Sequence, residues 1–173
     1  MRPGLTGTLF AEAYMGIAAS ELRQHVIRPT LLYLGCHSPS AEALLLGVAA
    51  CQSALGSALD DQQGHGLYRI AELRHQQLWD QHLALDPDLA SQVRGLASQH
   101  AFLTAPHLEL TVNLRYATAI AWLLVQAEKT QLPAADDLLG FARVWRQVFQ
   151  PQGRVRDFIH AWRHCVGNLS HVA

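Results

Sequence analysis

The sequence predicts an all-α domain, and three observations carry that expectation. Ala, Leu and Gln dominate the composition, which favours helix. Apolar residues recur at helical spacing in one segment after another, whereas no alternating run of useful length is present. The third observation is a stretch without a single charge, Ala43 to Leu59, preceded by Ser38-Pro39 in the order that suits a helix N-cap and first position. A charge-free helix that is apolar on most sides must be covered, so Ser40 to Gln52 is expected at the centre of the domain with amphipathic helices around it.

In order, residues 1–19 carry Gly4, Thr6, Gly7 and Gly16 among scattered apolar residues and read as an N-terminal arm. With Ser20 as N-cap, Leu22, Val26, Ile27, Leu31 and Leu34 follow helical spacing, and Pro29 must kink or restart that helix before Gly35 closes it. In the central helix Leu44, Leu45, Val48, Ala49 and Gln52 share a face, while Gly47 and Ala50 are small enough for another helix to approach closely. Asp60 to Gly66 is a polar turn, and Leu67 to Ile70 is too short for a helix and reads as extended. Leu73, Leu78, Trp79 and Leu83 resume the helical pattern, and Asp86-Pro87 caps a partner helix through Leu89, Val93 and Leu96, giving a hairpin-like pair. Ala105-Pro106 begins the longest candidate, marked by Leu110, Leu114, Ala117, Ile120, Ala121 and Leu124 and running towards Glu128. After Pro133, Leu138 to Val148 and Val155 to Val166 complete a set of six or seven helices, and residues 168–173 form a tail.

Composition narrows the function. A chain of 173 residues, half hydrophobic and 16 % charged, is one ordered domain, assigned to residues 20–167. Its net charge of -1 lacks the basic footprint that phosphate-backbone binding needs, so nucleic acid is not an expected partner. Cys36, Cys51 and Cys165 have no C-x-x-C spacing and are expected as buried free thiols, with no metal or other cofactor. His160 and His164 share a helical face but lack a third ligand. Arg2 and the mixed segment after it do not read as a signal peptide, so none is expected, and the Ala43–Leu59 run is too short and too polar at Gln52 for a membrane span.

The order of segments from Ala43 to Ile70 suggests a function: an apolar helix ending in Cys51-Gln52-Ser53, a glycine-containing turn, then Gly66-Leu67-Tyr68-Arg69-Ile70. His75 and Trp79 follow, and then Asn113-Leu114-Arg115-Tyr116-Ala117-Thr118-Ala119-Ile120-Ala121. This succession resembles the soluble lytic transglycosylases and goose-type lysozymes, most closely the phage-encoded members, over the middle of the chain. The resemblance implies a lysozyme-like fold and a peptidoglycan-related role. It identifies Gln52 with the position of the catalytic glutamate, and Ser53, Gly66, Leu67, Tyr68, Arg69, Ile70, Phe149 and Gln150 with the walls of the glycan cleft.

The departures from the family fall on the chemistry. In that family one glutamic acid protonates the glycosidic oxygen and then acts as base in closing a 1,6-anhydro ring, and both roles need a titratable group. Gln52 cannot titrate, Arg69 replaces a cleft-wall glutamine, and Phe149-Gln150 replaces a Tyr-Asn pair. An arginine beside a restored carboxyl would also hold it ionised. The expectation is therefore an inactive relative that serves as a binding or structural module, with peptidoglycan or a phage or envelope protein as partner and the phage particle or bacterial envelope as its location. Two alternatives stand beside it. One is an active enzyme using a displaced carboxylate from Glu72, Asp60 or Asp61, or an enzyme whose glutamate was changed to glutamine to trap substrate; the other is a helical interaction module with no glycan role. Tyr116, Trp122, Trp145 and Trp162 sit at helical core spacings and are expected to pack rather than to hold sugars.

Overall fold

A computed structural model describes residues 16–167, so most of the expected N-terminal arm and the whole tail lie outside the described residues. Helix α1 (Ala19–Leu22) runs through a π-turn (Arg23–Ile27) into α2 (Arg28–Tyr33). Ser20 is not its cap: Ala18 holds that position and makes no side-chain hydrogen bond. The π-turn answers the expectation of a kink at Pro29. Proline has no N–H to give and its ring crowds the carbonyl four residues back, and widening the preceding turn relieves both. The helix closes on hydrogen bonds from Gly35 to Leu32 O and from Cys36 to Leu31 O.

Ser38 accepts from Ala41 N and Pro39 occupies the first turn of α3 (Pro39–Ser53), as its sequence predicts. This helix is the covered centre of the domain: from Ala41 to Ala50 every residue but Ala43 is buried. It packs against α2, the π-turn and, later in the chain, the helices Leu114–Ala127, Leu138–Val148 and Val155–Cys165. One buried residue is charged. Glu42 is 1 % exposed and receives Arg23, Arg28 and His37, the first and last at 2.7 Å, which ties the N-terminal helix to the central one.

Helix α3 ends in three left-handed residues, Ala54, Leu55 and Gly56, and the chain then makes a minimal hairpin, β1 (Asp60–Asp61) with β2 (Gly64–His65). The following Gly66–Ile70 run is not extended. It is a turn closed at its base by the His65–Ile70 bridge, with Gly66 and Arg69 both left-handed and Arg69 N donating to Gly66 O. Burial of the Tyr68 ring, whose hydroxyl lies 3.0 Å from Thr118 Oγ1, draws this turn inward.

Helix α4 (Glu72–Gln81), a 3-10 turn (Leu83–Leu85) and α5 (Pro87–Leu96) form the expected pair, with Asp86 accepting from Leu89 N. The inward positions of α4 are His75 and Leu78; Leu73, expected on the apolar face, is 64 % exposed. Then come α6 (Gln99–Thr104), a 3-10 turn (Pro106–Leu108), α7 (Glu109–Val112) and α8 (Leu114–Ala127). The single long helix expected from Pro106 is thus broken, with a bend of 108° between Val112 and Leu114. Asn113 makes the break. Its Oδ1 accepts from Tyr116 N as the cap of α8, while its Nδ2 donates to Leu96 O and Glu109 Oε2, so side-chain hydrogen bonds override a periodicity that continues across it.

Helices α9 (Leu138–Val148), capped by Asp137, and α10 (Val155–Cys165) complete the chain. Gly47 lets α10 approach α3 closely; a Cβ there would lie 2.3 Å from Phe158 Cζ. Among the described residues no single helix is long and apolar enough to cross a membrane. Cys36, Cys51 and Cys165 are free, and each is half-buried rather than buried.

Candidate functional site

The end of α3, the Gly66–Ile70 turn, the first residues of α4, the end of α9 and the start of α10 converge on a cleft of about 320 Å3. Gln52 lies in its wall, half-buried, and both ends of its amide are engaged. Its Nε2 donates to the Tyr68 carbonyl and its Oε1 accepts from Trp145 Nε1, each at 3.2 Å. These two contacts orient the amide and join three elements: α3, the turn and α9.

Of the residues that the sequence assigns to a glycan cleft, Gln52, Arg69, Ile70, Phe149 and Gln150 line this one. Ser53, Gly66, Leu67 and Tyr68 lie behind it. Ser53 is buried, lies 2.7 Å from the Leu67 carbonyl, which its hydroxyl reaches as donor, and accepts from Gly56 N. It fastens the helix end to the turn. Leu67 and Tyr68 have no exposure, and Gly66 packs against the Leu110 carbonyl.

Both arginines of the cleft wall already have partners. Arg69 pairs with Asp61 and donates to Ala58 O at 3.1 Å, so its guanidinium is committed to the hairpin side. Arg74 donates to Val148 O and lies 3.6 Å from Glu128. Asp61 also accepts from Gln63 N and Gly64 N, and Asp157 accepts from Arg154 N. Glu72 pairs with His65 at 3.0 Å and is not part of the cleft wall. Burial, with Asp157 and Cys165 adding to it, pushes the Cys51 thiol up to about 12, so it is not a thiolate nucleophile.

Trp145, Arg74, Cys51 and Asp157 are cleft residues that sequence reasoning missed. Trp145 packs in the core, as its spacing predicts, at 2 % exposure, yet its indole N–H reaches Gln52. Tyr116 is core as well, but as part of a polar cluster. Its hydroxyl lies 2.7 Å from His75 Nε2 and accepts from Trp79 Nε1 at 3.0 Å, and His75 Nδ1 lies 2.9 Å from His107 Nδ1. A second cavity of about 560 Å3 adjoins this cluster, walled by Trp79, Phe102 and Arg94. His160 and His164 stack with centroids 6.4 Å apart, and among the described residues no group of three or more His, Cys, Asp or Glu side chains could hold a metal ion.

Two buried groups contribute to the acid response. Burial, with His107 and His65 nearby, lowers His75 from 6.5 to about 4. Burial alone would raise Glu42, but hydrogen bonds from Arg28, Arg23 and His37 outweigh it and take the carboxyl from 4.5 to about 2. The unfolded chain protonates His75 near 6.5 and the folded chain only near 4, so stability falls as pH drops through that window. The Glu42 contribution is present above 4.5 and is lost as pH falls towards 2. Each step is worth about 3 kcal/mol at most. Urea midpoints measured from neutral pH downwards should show both limbs, with His75→Gln diminishing the upper and Glu42→Gln the lower. A flat profile from pH 7 to about 4 would contradict the burial of a neutral His75.

Comparisons with protein-family models, curated proteins and solved structures find no match to this chain.

Proposed function

We propose that this chain is a lytic-transglycosylase-like, peptidoglycan-related domain that holds a glycan strand without cutting it, as a binding or structural module of a phage particle or envelope assembly. The observation that carries the proposal is Gln52. It lies in a cleft beside Arg69, Ile70, Phe149 and Gln150, four of the residues that the resemblance assigns to the walls of a glycan cleft, and it is an amide. An amide hydrogen-bonds sugar hydroxyls but delivers no proton near neutral pH, and the loss of general acid catalysis alone costs roughly 10²–10⁴ in rate. The fold supports the same reading, because a covered central helix delivers this residue to an open cleft through its last turn.

The test is titration of the ¹⁵N-labelled protein with chitin and peptidoglycan oligosaccharides, with turbidity of purified cell walls followed in parallel. Shifts at the Gln52 and Gln150 side-chain amides without lysis are expected. No shift with any glycan would leave the helical interaction module as the better reading. The active-enzyme alternative is favoured by the two carboxylates that do line the cleft, Asp61 and Asp157. It requires lysis by the parent protein that Asp61→Asn or Asp157→Asn abolishes.

A further inference from the structure

The Trp79, Tyr116, His75 and His107 cluster has one consistent arrangement of protons. Trp79 Nε1 can only donate, and it donates to the Tyr116 oxygen. Tyr116 has no exposure, so its own proton needs an acceptor, and His75 Nε2 is 2.7 Å away. His75 therefore carries its proton on Nδ1 and donates it to His107 Nδ1. The proton of neutral His107 is then on Nε2.

This chain has no balanced alternative. A protonated His107 bears hydrogens on both nitrogens, so two N–H groups would meet across 2.9 Å. Reversing the chain makes His75 Nε2 a donor to Tyr116, whose oxygen already accepts from Trp79, and leaves the Tyr116 proton without its acceptor. A buried hydroxyl orphaned in this way is disfavoured by roughly tenfold or more. Nor does His75 absorb the incoming proton, since burial keeps it neutral down to about 4.

His107 is connected to the Gln52 cleft. It lies on the Pro106–Leu108 turn that leads into α7, and the carbonyl of Leu110 in α7 is the group on which Gly66 packs. Gly66 opens the turn whose Tyr68 carbonyl holds Gln52. Two imidazoles face His107 directly, His65 of the hairpin, stacked on it at 6.4 Å, and His75 of α4; behind them Glu72 pairs with His65 and Tyr116 of α8 with His75, and buried Glu109 follows two residues along the chain. Asp80 of α4 and Arg94 of α5 line the adjoining cavity.

We propose that His107, His75 and Tyr116 form a proton-gated latch, which keeps residues 106–112 docked on the cleft turn at neutral pH and loosens them when His107 is protonated. The latch regulates the cleft whatever the cleft binds, so its test reads structure rather than ligand, and its failure leaves the glycan reading standing. Imidazole ¹⁵N spectra at about pH 7.5 should show His75 as the Nδ1–H tautomer and His107 as the Nε2–H tautomer. Amide protection of residues 106–112 and of Gly66 to Tyr68, corrected for intrinsic exchange and referred to α3, should fall between pH 7.5 and 5.5. In His107→Gln, which keeps an acceptor but gains no proton, the ratio should stay near one. The opposite tautomers, no fall in the parent, or an equal fall in His107→Gln would overturn the latch. Should His107→Gln fail to fold, the parent's tautomers and protection ratio decide.

Discussion

Gly66→Ala should destabilise the protein by about 4 kcal/mol or more, a large share of the stability of an ordinary domain. Two costs add. Gly66 has φ +76°, where an alanine is disfavoured by roughly 1–2 kcal/mol. An added Cβ would also lie 1.7 Å from the Leu110 carbonyl oxygen and 2.5 Å from its carbon, both backbone atoms that no rotamer change can move. Relief requires the cleft turn and α7 to separate, which uncovers the Leu67 and Tyr68 side chains. Gly35 supplies the control, since it has φ +68° and a Cβ added there would meet nothing within 4 Å. Gly35→Ala should therefore cost only the conformational part, roughly 1–2 kcal/mol. Urea denaturation of both variants makes the comparison; equal losses would show that the Gly66–Leu110 contact is not tight.

That result bears on what the sequence discloses. Gly66, Leu67 and Tyr68 stand out because the run containing them resembles a cleft wall, but their side chains build the support behind the wall and only Arg69 and Ile70 reach the front. Motif residues selected for shape and for chemistry look alike on paper. The central helix was legible because three local signals agree over it: a cap, a first-turn proline and the absence of charge. The break at Asn113 was not, because Leu110, Leu114 and Ala117 continue one apolar stripe across it, while the competing bonds to Leu96 and Glu109 depend on tertiary neighbours. Glu42 was hidden for the same reason. A carboxylate in a first helical turn looks solvated until Arg23, Arg28 and His37 are seen to close over it. His75 took the inward position expected of Leu73 because a buried imidazole with both nitrogens paired is tolerated where an unpaired one is not.

The other large expected effect follows from the two bonds of the Gln52 amide. In Gln52→Glu one carboxyl oxygen replaces Nε2 and faces the Tyr68 carbonyl, 3.2 Å from the present nitrogen, while the other still accepts from Trp145. A carboxylate oxygen against a carbonyl is repelled, whereas a protonated one donates to it, so this half-buried site favours the neutral acid. Arg69 does not reverse the sign, because its charge is matched by Asp61. The new carboxyl should titrate about one unit or more above an ordinary glutamate, measurable by ¹³C NMR of the labelled side chain. The raised value has a stability sign: the unfolded glutamate ionises first as pH rises, so the variant loses stability from about pH 4.5 upwards, by about 1–3 kcal/mol at neutral pH relative to the parent. Lytic activity should nevertheless stay low, because the proton is directed at the Tyr68 carbonyl and not into the cleft. Turbidity loss of purified peptidoglycan with the parent, Gln52→Glu and Gln52→Glu/Arg69→Gln tests this. Robust lysis by the single variant would mean that the cleft is catalytically intact and that Gln52 is an isolated change; a carboxyl that titrates below the ordinary range would mean that Arg69 or Arg74 controls the site after all.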